Sequence, residues 1–132
     1  MKRLILITLL LLNGCALVDA YRMTKYDPNE YRMITEIRYS AQQAKTQCNN
    51  TTLSQNNSVN LSTQTHIFVL YSEHVPSNDQ VIAAANELDA IAQGLSNQYT
   101  KATVSTAFCR IKFENIETSA EYMQKVIGAR PR

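Results

Sequence analysis

Three apolar stripes with helical spacing constrain this chain more than any other feature. In the last of them Cys109, Phe113, Ile116, Ala120, Met123 and Ile127 follow one another at intervals of four, three, four, three and four. Residues so spaced lie on one side of an α-helix, whereas on a strand they would fall on both faces. Glu114, Glu117, Glu121 and Lys125 lie off the stripe, and Glu121 with Lys125 makes a favourable pair one turn apart. An earlier stripe joins Ile34, Ile37, Ala41, Ala44 and Cys48, with Arg32, Glu36, Gln42 and Gln43 elsewhere on the helix. A middle one joins Val81, Ala84, Leu88, Ile91, Leu95 and Gln98, with Ala85 and Ala92 beside it. A helix with one apolar side is stable only when that side is covered, so these segments must pack on one another.

The punctuation between the stripes sets the expected boundaries. Asp27-Pro28-Asn29-Glu30 is a helix start: Asp27 can cap, Pro28 suits the first helical position, and Glu30 can reach back to the cap. The first helix is expected over about 28–48. Asn49 to Ser58, NNTTLSQNNS, is rich in turn formers and reads as a loop. The two glycosylation sequons, at Asn50 and Asn60, reflect only a high Asn and Thr content. Val59 to His74 contains a β-branched and aromatic run, His66 to Tyr71, that would suit a buried strand. With helical segments on every side, a strand there has no partner, and the segment is read as helix up to Pro76. Ser77 and Gln80 have capping-box spacing and open the next helix. A turn is expected over 100–103 and the last helix over about 103–127, stopped by Gly128 and Pro131. Four amphipathic helices with short connections imply an all-α, up-down four-helix bundle over residues 27–132.

The first residues are of a different kind. Lys2 and Arg3 precede an apolar run, Leu4 to Leu12, broken only by Thr8. That run is about half of the ~20 residues needed to span a bilayer. A positive start, a short apolar stretch and a small-residue end describe a secretory signal peptide over residues 1–14. The end of the signal, Leu12-Asn13-Gly14-Cys15, resembles the lipobox of bacterial lipoproteins. The resemblance implies that the Cys15 thiol receives a diacylglycerol, that a dedicated peptidase cuts between Gly14 and Cys15, and that the new amino terminus is acylated. One acyl chain holds a protein only marginally, and two or more hold it stably. The sorting rule of such lipoproteins keeps those with Asp after the lipidated cysteine in the inner membrane. Ala16 stands there, which implies the outer membrane, on its periplasmic face. Residues 15–26 form the tether, and the eleven after Cys15 reach at most ~35–40 Å when extended.

Cleavage would also change the charge. Loss of Lys2 and Arg3 leaves 11 basic residues against 11 acidic ones. A neutral mature chain argues against nucleic acid as a partner, since that binding relies on a basic face, and against a polybasic membrane patch. The expected membrane contact is the acylated Cys15 alone. Of the three cysteines, lipidation of Cys15 leaves Cys48 and Cys109. In the oxidising space that export implies, an even remainder suggests a Cys48–Cys109 disulfide. In an up-down bundle the end of the first helix and the start of the fourth lie together, which suits that pairing. The alternatives are two buried thiols or a metal site, and two cysteines without nearby histidines make zinc a poor fit.

Residues that carry chemistry are otherwise sparse. His66 and His74, eight positions apart on a helix, would be ~12 Å apart, too far to share one metal. Ser72-Glu73-His74 cannot act as a nucleophile set, because neighbours on a helix point in different directions. No Gly-rich phosphate loop is present. Tyr21, Tyr26 and Tyr31 near the tether could sit at a headgroup layer or pack at the end of the bundle, and the second is favoured. No catalytic residues, no metal and no cofactor are expected. The reading is a non-enzymatic structural or protein-interaction lipoprotein. Lipobox, small size and helical periplasmic part also resemble small phage-encoded lipoproteins, including outer-membrane spanin subunits, which implies an inner-membrane protein as partner. The alternative is a bundle that binds a small apolar ligand.

Overall fold

Pro28–Lys45 forms α1 because two of the three start signals in the sequence operate. Asp27 Oδ1 accepts the backbone N–H of Glu30 at 2.8 Å, and Pro28 occupies the first helical turn. Three further helices follow: α2 (Thr51–Ser72), α3 (Asp79–Lys101) and α4 (Thr106–Gly128). The computed structural model describes residues 24–132. The signal peptide, its cleavage site at Gly14 and Cys15, Tyr21 and most of the tether lie outside the described residues. Among the described residues there are helices and no strands, and the fold is an all-α four-helix bundle.

Each helix packs on its neighbours in sequence, and α4 closes the ring against α1. The α1–α4 and α2–α3 seams are the most extensive, and α3–α4 is the thinnest. Contacts fix the directions. Tyr31 meets Gly128, Arg38 bonds Gln124 at 3.0 Å, and Lys45 bonds Glu117 at 2.5 Å, so α1 and α4 run antiparallel. Gln93 reaches the carbonyl of Ser62 and Asn78 that of Ser72, so α2 and α3 do too. The stripes of α1 and α4 are buried as spaced, from Ile34 to Cys48 and from Cys109 to Ile127. Phe68 and Phe113 are the largest fully buried side chains. Ala41, Ala44, Ala85, Ala92 and Ala120 between them let the helix backbones approach.

Four expectations need correction. Residues 51–58 are helical, not a loop. Asn50 caps α2 through Leu53 N–H at 3.0 Å, and the buried hydroxyls of Ser54 and Ser58 bond the carbonyls of Thr51 and Gln55 within their own helix. Side chains that favour turns are therefore satisfied inside a helix, and their small size suits a close seam. In α3 the buried face is Val81, Ala85, Leu88, Ala92 and Leu95; Ala84 and Ile91 are half-buried and Gln98 is exposed. The helix is rotated so that Ala85 and Ala92 face the core. Asn78, not Ser77, precedes α3, and Ser77 has a φ of 57°. Finally, Gly128 is the last residue of α4 with no positive φ. It is small for another reason: a Cβ there would lie 3.0 Å from Tyr31 Cε2.

Candidate functional site

The structure brings Cys48 and Cys109 together. Their Cα atoms are 5.8 Å apart and their sulfurs are bonded. This separation lies within the range a disulfide requires. Both cysteines sit at the end of the bundle where α1 finishes and α4 begins. The histidines are not brought together. His66 is exposed and pairs with Asp89 Oδ2 at 3.2 Å, while His74 Nδ1 lies 3.0 Å from the carbonyl oxygen of Leu70. No group of three metal-ligating side chains occurs among the described residues. No described helix is long and apolar enough to cross a membrane.

At the opposite end lies a buried polar cluster that the spacing of residues did not reveal. Glu30 is fully buried, and its carboxylate turns inward instead of capping α1. Arg130 Nη1 donates to one carboxylate oxygen at 2.6 Å, and Asn78 Nδ2 donates to the other at 2.5 Å. Arg130 Nη2 donates to Asn78 Oδ1 at 2.7 Å, which closes a three-membered ring of charge-assisted bonds. Asn78 also donates to the carbonyl of Ser72 at 3.0 Å. Its side chain is thus unable to cap α3, and no side-chain cap bond forms there. Around this ring residues 24–26 meet the α2–α3 turn and the C-terminal residues. Thr24 bonds the carbonyl of Ser77, Tyr26 N–H bonds the carbonyl of Pro131 at 2.9 Å, and the Arg132 guanidinium lies 4.9 Å from the Tyr26 ring centre. Tyr26 packs on Tyr31 with ring centres 5.7 Å apart, so both serve packing at the bundle's end. A polar residue in the α2–α3 turn and an Arg beyond the last helix were the sole sequence signals of this cluster.

A cleft of about 310 Å³ opens between α1 and α2. One wall carries Tyr39, Ser40 and Gln43 of α1 with Gln47 just beyond its end, and the other Asn57, Asn60, Leu61 and Gln64 of α2. Asn57 Nδ2 donates to Gln47 Oε1 at 2.6 Å and braces one end. Leu61, fully buried, is its one aliphatic residue. Gln64 Oε1 is buried and has no hydrogen-bond partner among the described residues. No Asp, Glu, Lys, Arg or His lines the cleft, which can therefore donate and accept hydrogen bonds but offers no charge.

Ionisable groups cluster instead on the α1–α4 seam. Lys45 is held above its usual value by its hydrogen bond to Glu117, against partial desolvation. Glu121 is held below the usual carboxylate range by the hydrogen bond from Lys125 and by the nearby Arg38 charge. Lys45–Glu117 and Arg38–Glu121 tie α1 to α4, Glu121–Lys125 lies within α4, and their geometry contains no nucleophile paired with a base. Comparison with protein families, with curated proteins and with solved structures finds no match for this chain.

Proposed function

We propose that the chain is a bacterial lipoprotein with a non-enzymatic structural or protein-interaction role, anchored through acylated Cys15 on the periplasmic face of the outer membrane. The observation that carries this reading is Leu12-Asn13-Gly14-Cys15 at the end of a short apolar run behind Lys2 and Arg3. The bundle is compatible with it in two respects. Thr24 is nine positions after Cys15, a reach of about 30 Å at most, so the folded part stays close to its anchor. The described residues form a bundle with ion pairs on its outer surface and no helix long and apolar enough to cross a bilayer. A spanin-like role would add an inner-membrane partner. Helices of 18–23 residues are about 27–35 Å long, so that partner would have to supply most of the length across the periplasm.

Metabolic labelling with palmitate tests the anchor. The parent chain is expected to take up label and to fractionate with the outer membrane, while Cys15→Ser takes up none. Ala16→Asp is expected to move the labelled protein to the inner membrane. Label entering Cys15→Ser would overturn the reading.

A further inference from the structure

The geometry points to the α1–α2 cleft as a binding site for an uncharged glycan segment, acetamido sugars being the best match. The inference stands on the cleft alone and is independent of the lipid anchor. Three classes of ligand can be set against its walls. A charged ligand would lose hydration and meet no counter-charge, because none of the lining side chains is ionised at neutral pH. A wholly apolar one, the alternative raised from sequence, would leave the carboxamides of Gln43, Asn60 and Gln64 without partners, at a cost for each group it covered. A neutral ligand that both donates and accepts hydrogen bonds suits every wall.

Two further observations narrow that class. Each carboxamide presents an acceptor beside donors in one plane, which complements a pair of neighbouring hydroxyls or the C=O and N–H of an acetamido group. Gln64 Oε1 is the position with an immediate need: a buried acceptor with no partner is where a ligand hydroxyl or N–H would donate. Tyr39, 62% exposed, presents its ring at one end of the cleft, a platform for the C–H face of a sugar ring. An extended peptide is also neutral along its backbone, but its recognition depends on pockets for alternate side chains. Leu61 is the single aliphatic contact here, and no second apolar pocket follows it along the wall. From Tyr39 to Gln47 the cleft runs eight residues, about 12 Å, room for a short oligosaccharide. The Gln47–Asn57 bond fixes the far end before any ligand arrives, which lowers the cost of ordering the site.

The test is calorimetric titration of the mature chain with chitotetraose, maltotetraose and an acetylated, amidated tetra-alanine peptide. Saturable binding of chitotetraose is expected, tighter than that of maltotetraose, with no response to the peptide. Gln64→Ala should weaken it roughly three- to tenfold, the value of one hydrogen bond. Tyr39→Ala and Gln43→Ala replace exposed side chains, so they test the cleft without threatening the fold, and each should weaken binding as well. Failure of both sugars to saturate, sugar binding unaffected by Tyr39→Ala and Gln43→Ala, or binding of the peptide in preference to the sugars would each overturn the inference.

Discussion

Removing Arg130 tests whether the polar cluster holds the bundle closed. Arg130 donates to Glu30 and to Asn78 from two different nitrogens, and Glu30 has no exposed surface. Arg130→Ala leaves the carboxylate buried with Asn78 as its remaining side-chain donor, and leaves Asn78 Oδ1 without one. Deleting one partner of a buried ion pair costs about 3–5 kcal/mol. Against a total stability of about 5–15 kcal/mol for a domain, that is a large fraction. At about 4 °C per kcal/mol for this size, the melting temperature should fall by about 12–20 °C. Arg130→Lys should be intermediate, because one ammonium cannot span both acceptors as the guanidinium fork does. Removing both charges, as in Glu30→Leu with Arg130→Met, should recover much of the loss, since the pair as a whole costs desolvation. The assay is urea unfolding followed by circular dichroism on a Cys15→Ser background, with the midpoint moving and the slope unchanged. A cost for Arg130→Ala below about 1 kcal/mol, as for a surface pair, would refute the reasoning, as would a double variant no better than the single one.

Two further outcomes follow from the opposite end and from the seam. Reducing Cys48–Cys109 reopens a sequence separation of 61 residues, and the chain-entropy account gives a loss of about 4 kcal/mol; alkylation of exported protein without reductant should label neither cysteine, and labelling of both would sink the pairing. Glu121, with its folded value lowered by Lys125 and Arg38, adds stability that is present above its usual 4.5 and is lost as pH falls through the lower folded value. Lys45, raised by Glu117, adds stability that is present below 10.5 and is lost as pH rises through its folded value. Thermal melting across pH should therefore decline at both extremes, and Glu121→Gln should flatten the acid limb. An acid limb identical in that variant would rule the pair out as its cause.

The fold was legible where burial follows period. Ile34 to Cys48 and Cys109 to Ile127 are apolar at each inward turn, and an up-down order then places the two cysteines at one end, where they stand 5.8 Å apart between Cα atoms. α2 was legible only in part, because its buried face holds Ser54, Ser58, Ser62, Thr65 and Ser72 while Leu53, Val59, Ile67 and Leu70 face outward. Pattern reading assigns the inside to apolar residues, and here Leu61, Phe68 and Val69 share it with small polar ones, of which Ser54, Ser58, Ser62 and Thr65 bond carbonyls of their own helix. The polar cluster was illegible for a different reason. Glu30, Asn78 and Arg130 each have an adequate local role as first-turn acid, turn residue and tail cation, and only the tertiary fold sets those roles aside. The α1–α2 cleft is invisible in the same way: its amides come from two helices and form no local motif.

The two ends of the bundle are closed by different means, and the difference bears on how an anchored chain would present its surfaces. The ring at Glu30 joins residues 48, 52 and 100 positions apart, so it can form only after α1, the α2–α3 turn and the tail beyond α4 have met. It is therefore a consequence of a finished bundle, whereas the cysteine pair joins two helix ends. The ring end is also where Thr24 is held by Ser77 and Tyr26 by Pro131. If Cys15 is anchored as proposed, nine positions before Thr24, that end would be the nearer to the lipid and the Cys48–Cys109 end the farther. Gln43 lies 15 residues along α1 from Pro28, about 22 Å toward the far end. On that arrangement the cleft would stand clear of the headgroups, on the half of the bundle away from the anchor. A tether of similar length on a bundle whose chain left from the disulfide end would press the cleft toward the membrane.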